Sequence, residues 1–224
     1  MKVYAVIPAY NEASRIGGTL FGVRPFVDGV IVVDDGSTDE TAGVARESGA
    51  TIIRHAINRG QGAALRTGTD AALRLGADVI VHVDADGQHD PSLIPSIIQP
   101  IKEGKTDVVF GSRFLGLLPS DMPWSRRVLL RAARSFNSLV MGIPRRVTDP
   151  QSGMRAMTRE AALLVDFRQD RMAHCSEILR LVTRSRLRWL EVPIRVRYTS
   201  ESLAKGQRSA DALKIVWQLL IGGR

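Results

Sequence analysis

The chain has 224 residues, 44% of them hydrophobic and 24% charged, and its 31 lysines and arginines outnumber 23 acids for a net charge of +8. That apolar content, with no periodic glycine, excludes disordered and collagen-like chains and is enough to bury one substantial core. The single cysteine, Cys175, excludes an internal disulfide or a cysteine-built zinc site, and no apolar run reaches the roughly 20 residues that span a bilayer.

Residues 3–7 (VYAVI) read as a buried strand that Pro8 ends. Pro8 also cuts this apolar run too short for a signal peptide. A helix is predicted over 13–26 and a second buried strand over 30–33. In the DDGSTDET that follows, Ser37 and Glu40 have the spacing of a capping box, which predicts a helix over 38–48. Residues 51–54 read as a short strand, NRGQG at 58–62 as a glycine turn, and the small residues after it as a helix to 75. A strand over 78–83 (DVIVHV) leads to DADGQHDP, where Asp90 and Pro91 read as the N-cap and first-turn residue of a helix to 102. A strand over 107–110 runs into GSR. Beyond it the pattern predicts a helix over 124–141, a loop into a strand at 149–157 and a helix over 175–185. A strand over 189–196, a polar loop at 198–207 and an amphipathic helix over 209–221 follow.

Short, near-continuous apolar strands alternating with helices predict an α/β fold, a Rossmann-like, mostly parallel sheet with helices on both faces. The whole of 1–224 reads as one domain, with a ligand-binding half over 1–115 and a second half over 116–224. Open sheets of this kind bind ligands at the C-terminal ends of their strands. The clusters YNE, DDGSTD, DADGQ and GSR all fall there.

Asp84 and Asp86 are one residue apart after a buried strand. Close carboxylates repel unless a cation lies between them, and hard oxygen ligands suit Mg2+ or Mn2+ together with substrate phosphates. Gln88 adds a third oxygen, and His89 is a poorer match. The competing reading is an Asx turn with a helix cap, but Asp90 already accounts for the cap. Asp34 and Asp35 read as contacts to a base or ribose, and Ser37 and Asp39 as caps. Gly60 and Gly62 admit a close ligand approach or a tight turn with close helix packing, and on that motif alone the turn is the better reading. Neither a Walker loop nor a dinucleotide fingerprint is present. His82, alternating with valines, reads as a satisfied interior histidine. Cys175 has no evident activating partner. The arginines from Arg113 through Arg126, Arg131 and Arg134 to Arg146 fit a phosphate or an acidic membrane surface, or else a solvated helix face.

VIPAYNE at 6–12, VVDDGSTDET at 32–41, NRGQGAA at 58–64, VDADGQHDP at 83–91, GSR at 111–113 and DPQSGMRAM at 149–157 occur in that order. Together they resemble the family 2 glycosyltransferases, in particular the dolichol-phosphate mannosyltransferase-like branch, over nearly all of the chain to about residue 215. The resemblance implies a GT-A fold and an inverting transfer from a nucleotide-diphosphate sugar of the GDP-mannose or UDP-glucose type. It implies donor contacts at Pro8, Tyr10, Glu12, Asp34, Asp35, Gly62, Asp84 and Asp86, with Asp84, Asp86 and Gln88 holding Mg2+ or Mn2+. It places Arg113, Arg131, Ser152 and Arg155 on the acceptor side, beside Gly153. It also implies that Asp86 and Arg113 act catalytically, with Lys205 and Arg208 closing over the donor phosphates. Members of this branch often carry C-terminal transmembrane helices, which these residues lack, and the loop TSESLAKGQ has no arginine where one is expected.

The reading that follows is a polyprenyl-phosphate glycosyltransferase at the cytoplasmic face, peripheral to the membrane, with a membrane surface or membrane protein as partner. If the acceptor is a hydroxyl, a base is required, and Asp149 and Glu177 are the candidates. A lipid phosphate is already an anion and requires none. The rivals keep the fold and donor with a soluble phosphorylated or glycan acceptor, or take the basic charge as nucleic-acid binding. With 5% aromatics and no nucleic-acid motif, the last leaves the acid pairs unexplained.

Overall fold

The computed structural model describes residues 1–115, 144 and 146–196. Among them run strands β1 (Val3–Ala9), β2 (Gly29–Asp34), β3 (Thr51–Arg54), β4 (Val79–His82), β5 (Val108–Ser112), β6 (Arg155–Thr158) and β7 (Trp189–Pro193). The helices are α1 (Ala13–Val23), α2 (Thr41–Glu47), α3 (Gln61–Arg74), α4 (Ile94–Lys102), α5 (Arg159–Leu164) and α6 (His174–Arg184). The strands form one seven-stranded sheet in the order β3-β2-β1-β4-β6-β5-β7.

The apolar strands are continuous because both faces of the sheet are buried. Along β1, Val3, Ala5, Ile7 and Ala9 face one core with Ile16 and Leu20 of α1 and Ile94 and Ile97 of α4. Val6 faces the other, with Ala64 and Leu65 of α3, Ala161 of α5 and Ile178 of α6. Each of these valine, leucine and isoleucine side chains removed from water contributes about 1.5–3 kcal/mol. A parallel sheet carries helices on both sides, so this double burial is the expected result.

Two expectations need correcting. Pro8 does not end β1: it pairs with Val33 and the strand continues to Ala9. Val6 gives its carbonyl to Val83 on the β4 side and Ala9 gives its own to Asp35 on the β2 side. Pro8 therefore faces the β4 side, where pairing stops at Val6, and its missing N–H interrupts no ladder. Nor is there a Ser37–Glu40 capping box, since α2 starts at Thr41 and Glu40 makes no side-chain cap. The Asp90 cap is present, its carboxylate accepting from Ser92 N–H.

The second half of the sequence completes the same sheet. β6 inserts between β4 and β5 and runs antiparallel to both, and β7 pairs parallel to β5. The insertion brings Arg155 into register with His82. The predicted helices over 124–141 and 209–221, and the residues Arg126, Arg131, Arg134, Lys205 and Arg208, lie outside the described residues. Among the described residues no helix is long and apolar enough to cross a membrane.

Candidate active site

The loops after β1 and β2 are stitched to each other. Asn11, with a left-handed φ of 54°, donates its N–H to Ser37 Oγ (2.9 Å) and accepts from Thr38 N–H (2.9 Å). Glu12 N–H donates to Thr41 Oγ1, and Ala13 N–H to Asp39. Ser37 thus braces the first loop, whereas Asp39 caps as expected through Thr41 N–H. The bracing presents Tyr10, 47% exposed, and the half-buried Glu12, which pairs with Arg15 at 2.9 Å. Pro8 is buried within the strand.

The Asp34–Asp35 pair at the end of β2 is buried. Asp34 is fully buried, accepts from Ser37 N–H and lies 3.1 Å from Arg54. Asp35, 3% exposed, meets His55 Nδ1 at 2.7 Å and accepts the N–H groups of Arg59 and Gly60. His55 in turn reaches Thr67 Oγ1 at 3.0 Å. Asp35 shapes the turn at 59–60 by accepting its N–H groups, and Asp34 holds the turn after β2 through Ser37, since a buried acid oxygen is costly without a donor or a cation. Gly62 is also structural: a Cβ there would lie 2.0 Å from Gln169 carbonyl oxygen and 2.9 Å from His174 Cβ. The glycine lets the 169–174 segment pack closely.

The acid pair after β4 behaves differently. Asp84 accepts from Gln61 Nε2 at 2.8 Å and lies 3.0 Å from His89 Nε2. Burial alone would raise its pKa, but the His89 hydrogen bond and the charges of His89, Arg155 and His174 outweigh burial and hold it below its usual value. Asp86 is raised, first by burial and then by the charge of Asp84. Gln88 gives its backbone N–H and its side-chain amide to Asp86, so its carbonyl oxygen is the atom it has to offer a cation. Two half-buried carboxylates that penalise each other's charge fit a divalent cation, which removes that penalty. No three acid, histidine or cysteine side chains are gathered among the described residues, so phosphate oxygens and water would complete the shell.

Behind this loop lies a polar cluster that the sequence conceals. Arg155 is 1% exposed and donates Nε–H to Gly153 carbonyl oxygen, with its other nitrogen 3.5 Å from Cys175 Sγ. The alternation of β6 places it on the same buried face of the sheet as Met157. Ser152, 6% exposed, likewise turns inward to Met154 carbonyl oxygen. Cys175 does have partners: His174 Nε2 lies 3.4 Å from its sulfur. Burial pushes the thiol up, but the charges of His174 and Arg155 prevail and bring it to about 6. His82 meets Thr69 Oγ1 at 2.9 Å, yet its buried Nδ1 has no partner among the described residues. Burial and the charges of Arg155 and His174 hold it neutral, well below its ordinary pKa. It is thus only half satisfied.

At the end of β5, Arg113 is held by Asp149. The carboxylate takes Arg113 backbone N–H at 3.0 Å and two guanidinium N–H groups at 2.6 Å each, with Asp149 fully buried in the pair. Glu177 accepts the N–H groups of Arg168 and Gln169. Gln61, His89, Asp149 and Glu191 all shape the site. The first three stood within the sequence motifs, and only Glu191 lay outside them.

Comparison with known proteins shows the family and the fold. The profile of glycosyl transferase family 2 matches residues 4–164. The chain is 35% identical, over 98% of its length and 95% of the relative's, to a UDP-N-acetylglucosamine–dolichyl-phosphate N-acetylglucosaminyltransferase of Methanococcus voltae. It is 31% identical to a dolichol-phosphate mannosyltransferase of Pyrococcus furiosus, covering 98% of this chain and 64% of that one. Among solved structures, glucosyl-3-phosphoglycerate synthase of Mycobacterium tuberculosis, with Mn2+ and UDP, superposes with a TM-score of 0.74 at 23% identity. That match covers 98% of this chain and 77% of the synthase.

Proposed function

The chain belongs to glycosyl transferase family 2 and is a GT-A glycosyltransferase, and we propose that it moves a sugar from a nucleotide-diphosphate donor to a polyprenyl phosphate at a membrane surface. The observation that carries the acceptor is the state of the two candidate bases, both of them among the described residues. Asp149 is buried with both oxygens on Arg113, and Glu177 caps the 168–169 backbone. A hydroxyl acceptor needs a base, whereas a phosphate monoester arrives as an anion and attacks without one. The names of the relatives from Methanococcus voltae and Pyrococcus furiosus point the same way.

In this reading Tyr10 and Glu12 border the nucleotide, and Asp84, Asp86 and Gln88 hold the diphosphate end together with Mg2+ or Mn2+. When bound, that cation offsets the charge that builds on the departing diphosphate. Arg113, fixed by Asp149, orients the acceptor phosphate for attack on the face of the anomeric carbon opposite the leaving group, which inverts it. Lys205 and Arg208 close over the donor phosphates, and Arg131 with its neighbouring arginines meets acceptor or acidic headgroups. The donor is of the GDP-mannose or UDP-glucose type, and the Methanococcus voltae relative adds UDP-N-acetylglucosamine to the set worth testing.

The test is transfer from each labelled donor, with Mn2+ or with chelator, to polyprenyl phosphate in detergent or to 3-phosphoglycerate in water. Label entering the organic phase with one donor is expected. Label entering only the aqueous product would replace the lipid acceptor with a soluble phosphorylated one.

A further inference from the structure

Glu191 lies in β7, opposite Phe110 of β5. Its Oε1 accepts the N–H groups of Thr148 and Asp149, both at 3.0 Å. Its Oε2 accepts Thr148 N–H and the Thr148 hydroxyl, both at 2.9 Å. The same Thr148 hydroxyl meets Ser112 Oγ at the end of β5. Asp149, next along, grips Arg113 through the backbone and two guanidinium contacts. A chain of charge-assisted hydrogen bonds thus runs from β7 through the 148–149 segment to Arg113. Two successive backbone N–H groups converging on one carboxylate form a rigid anchor. The arrangement also separates two acids, Glu191 and Asp149, that would otherwise repel, by placing N–H donors between them.

We infer that Glu191 is a positioning residue for Arg113: it fixes the 148–149 segment, so that Asp149 holds the guanidinium at the angle the acceptor's anionic group requires. This rests on the proposed placement of Arg113 on the acceptor side. Glu191 touches neither substrate and acts through Asp149. Its loss therefore shows as weakened acceptor use with the donor unaffected.

Glu191→Gln keeps the size of the side chain but puts an NH2 where one oxygen faced N–H donors. The measurement is steady-state transfer to a short-chain isoprenyl phosphate, with acceptor and donor varied separately. The expected result is an acceptor KM about tenfold higher, with donor KM and kcat within about twofold, as the loss of one or two charge-assisted bonds predicts. Asp149→Asn should give a larger rise. The double variant should cost less than the two single losses combined, because both act through one arginine. Equal rises in donor and acceptor KM, additive losses, or an unchanged acceptor KM would each overturn the relay. If the wild-type chain transfers no sugar to any isoprenyl phosphate, the acceptor reading itself falls and the relay falls with it. A fall in melting temperature of Glu191→Gln without the KM split would likewise reduce Glu191 to a structural brace.

Discussion

The two ends of the site are built on opposite electrostatic terms. At the end of β5, Arg113, Asp149 and Glu191 alternate donors and acceptors, and the carboxylate on Arg113 is fully buried and matched. After β4, Asp86 sits beside Asp84 and is pushed toward its neutral form by burial and by its neighbour's charge. In the proposed function the first end is complete within the chain, and the second is completed by the cation and the diphosphate. A preorganised end orients a substrate, because its dipoles are fixed before the substrate arrives. An end under like-charge tension gives its binding energy to whatever relieves that tension.

The sharpest way to break this contrast is Asp86→Asn. Removing the repelled charge should raise the melting temperature measured in chelator, since a carboxyl with a raised native pKa destabilises the fold at pH above that value. The same variant should lose metal-dependent donor binding by about a hundredfold, as expected for an electrostatic ligand at a diphosphate. Calorimetry with donor and Mn2+, beside thermal unfolding in chelator, reads both. A variant that is less stable without metal would place Asp86 in the matched class with Asp149. Gly153→Ala comes next. A Cβ at Gly153 would lie 2.3 Å from Asp84 Oδ2, so Asp84 must move off Gln61 and His89. Donor binding should weaken about tenfold, with acceptor KM little changed, since bulk forced into a packed site costs about 1–3 kcal/mol. A rise in acceptor KM instead would show that the two ends are not separable.

The sheet and its binding edge were legible in the sequence because apolar strand runs and polar strand-end clusters follow from local pattern. What escaped is what depends on neighbours far along the chain. Ser37 and Glu40 have capping-box spacing, yet Ser37 serves Asn11, 26 residues away. Arg155 reads as an acceptor contact until β6 proves antiparallel and turns it under the sheet beside Cys175. The partners of Asp34 and Asp35, which are Arg54, His55 and the 59–60 amides, lie about 20 residues along the chain, beyond any local pattern. Glu191 belongs to no motif and makes its contacts across 42 and 43 residues.

The smallest expected effect on catalysis, and the finest probe of the donor end, is Cys175. Arg155 and His174 both hold Asp84 down and draw on the Cys175 thiol. Because the chain has one cysteine, absorbance near 240 nm reports it alone, and the step should be centred near pH 6 rather than 9.0. A depressed native pKa fixes the sign of the stability change. Between about 6 and 9.0 the native chain holds fewer protons than the unfolded one, so this contribution grows as pH rises. It is fully present above the unfolded thiol's pKa and is lost as pH falls through about 6. The stability gap between wild type and Cys175→Ser should widen across that window and stay flat above it, with transfer rates within about twofold. A gap independent of pH would mean that the thiol stays neutral beside Arg155 and His174.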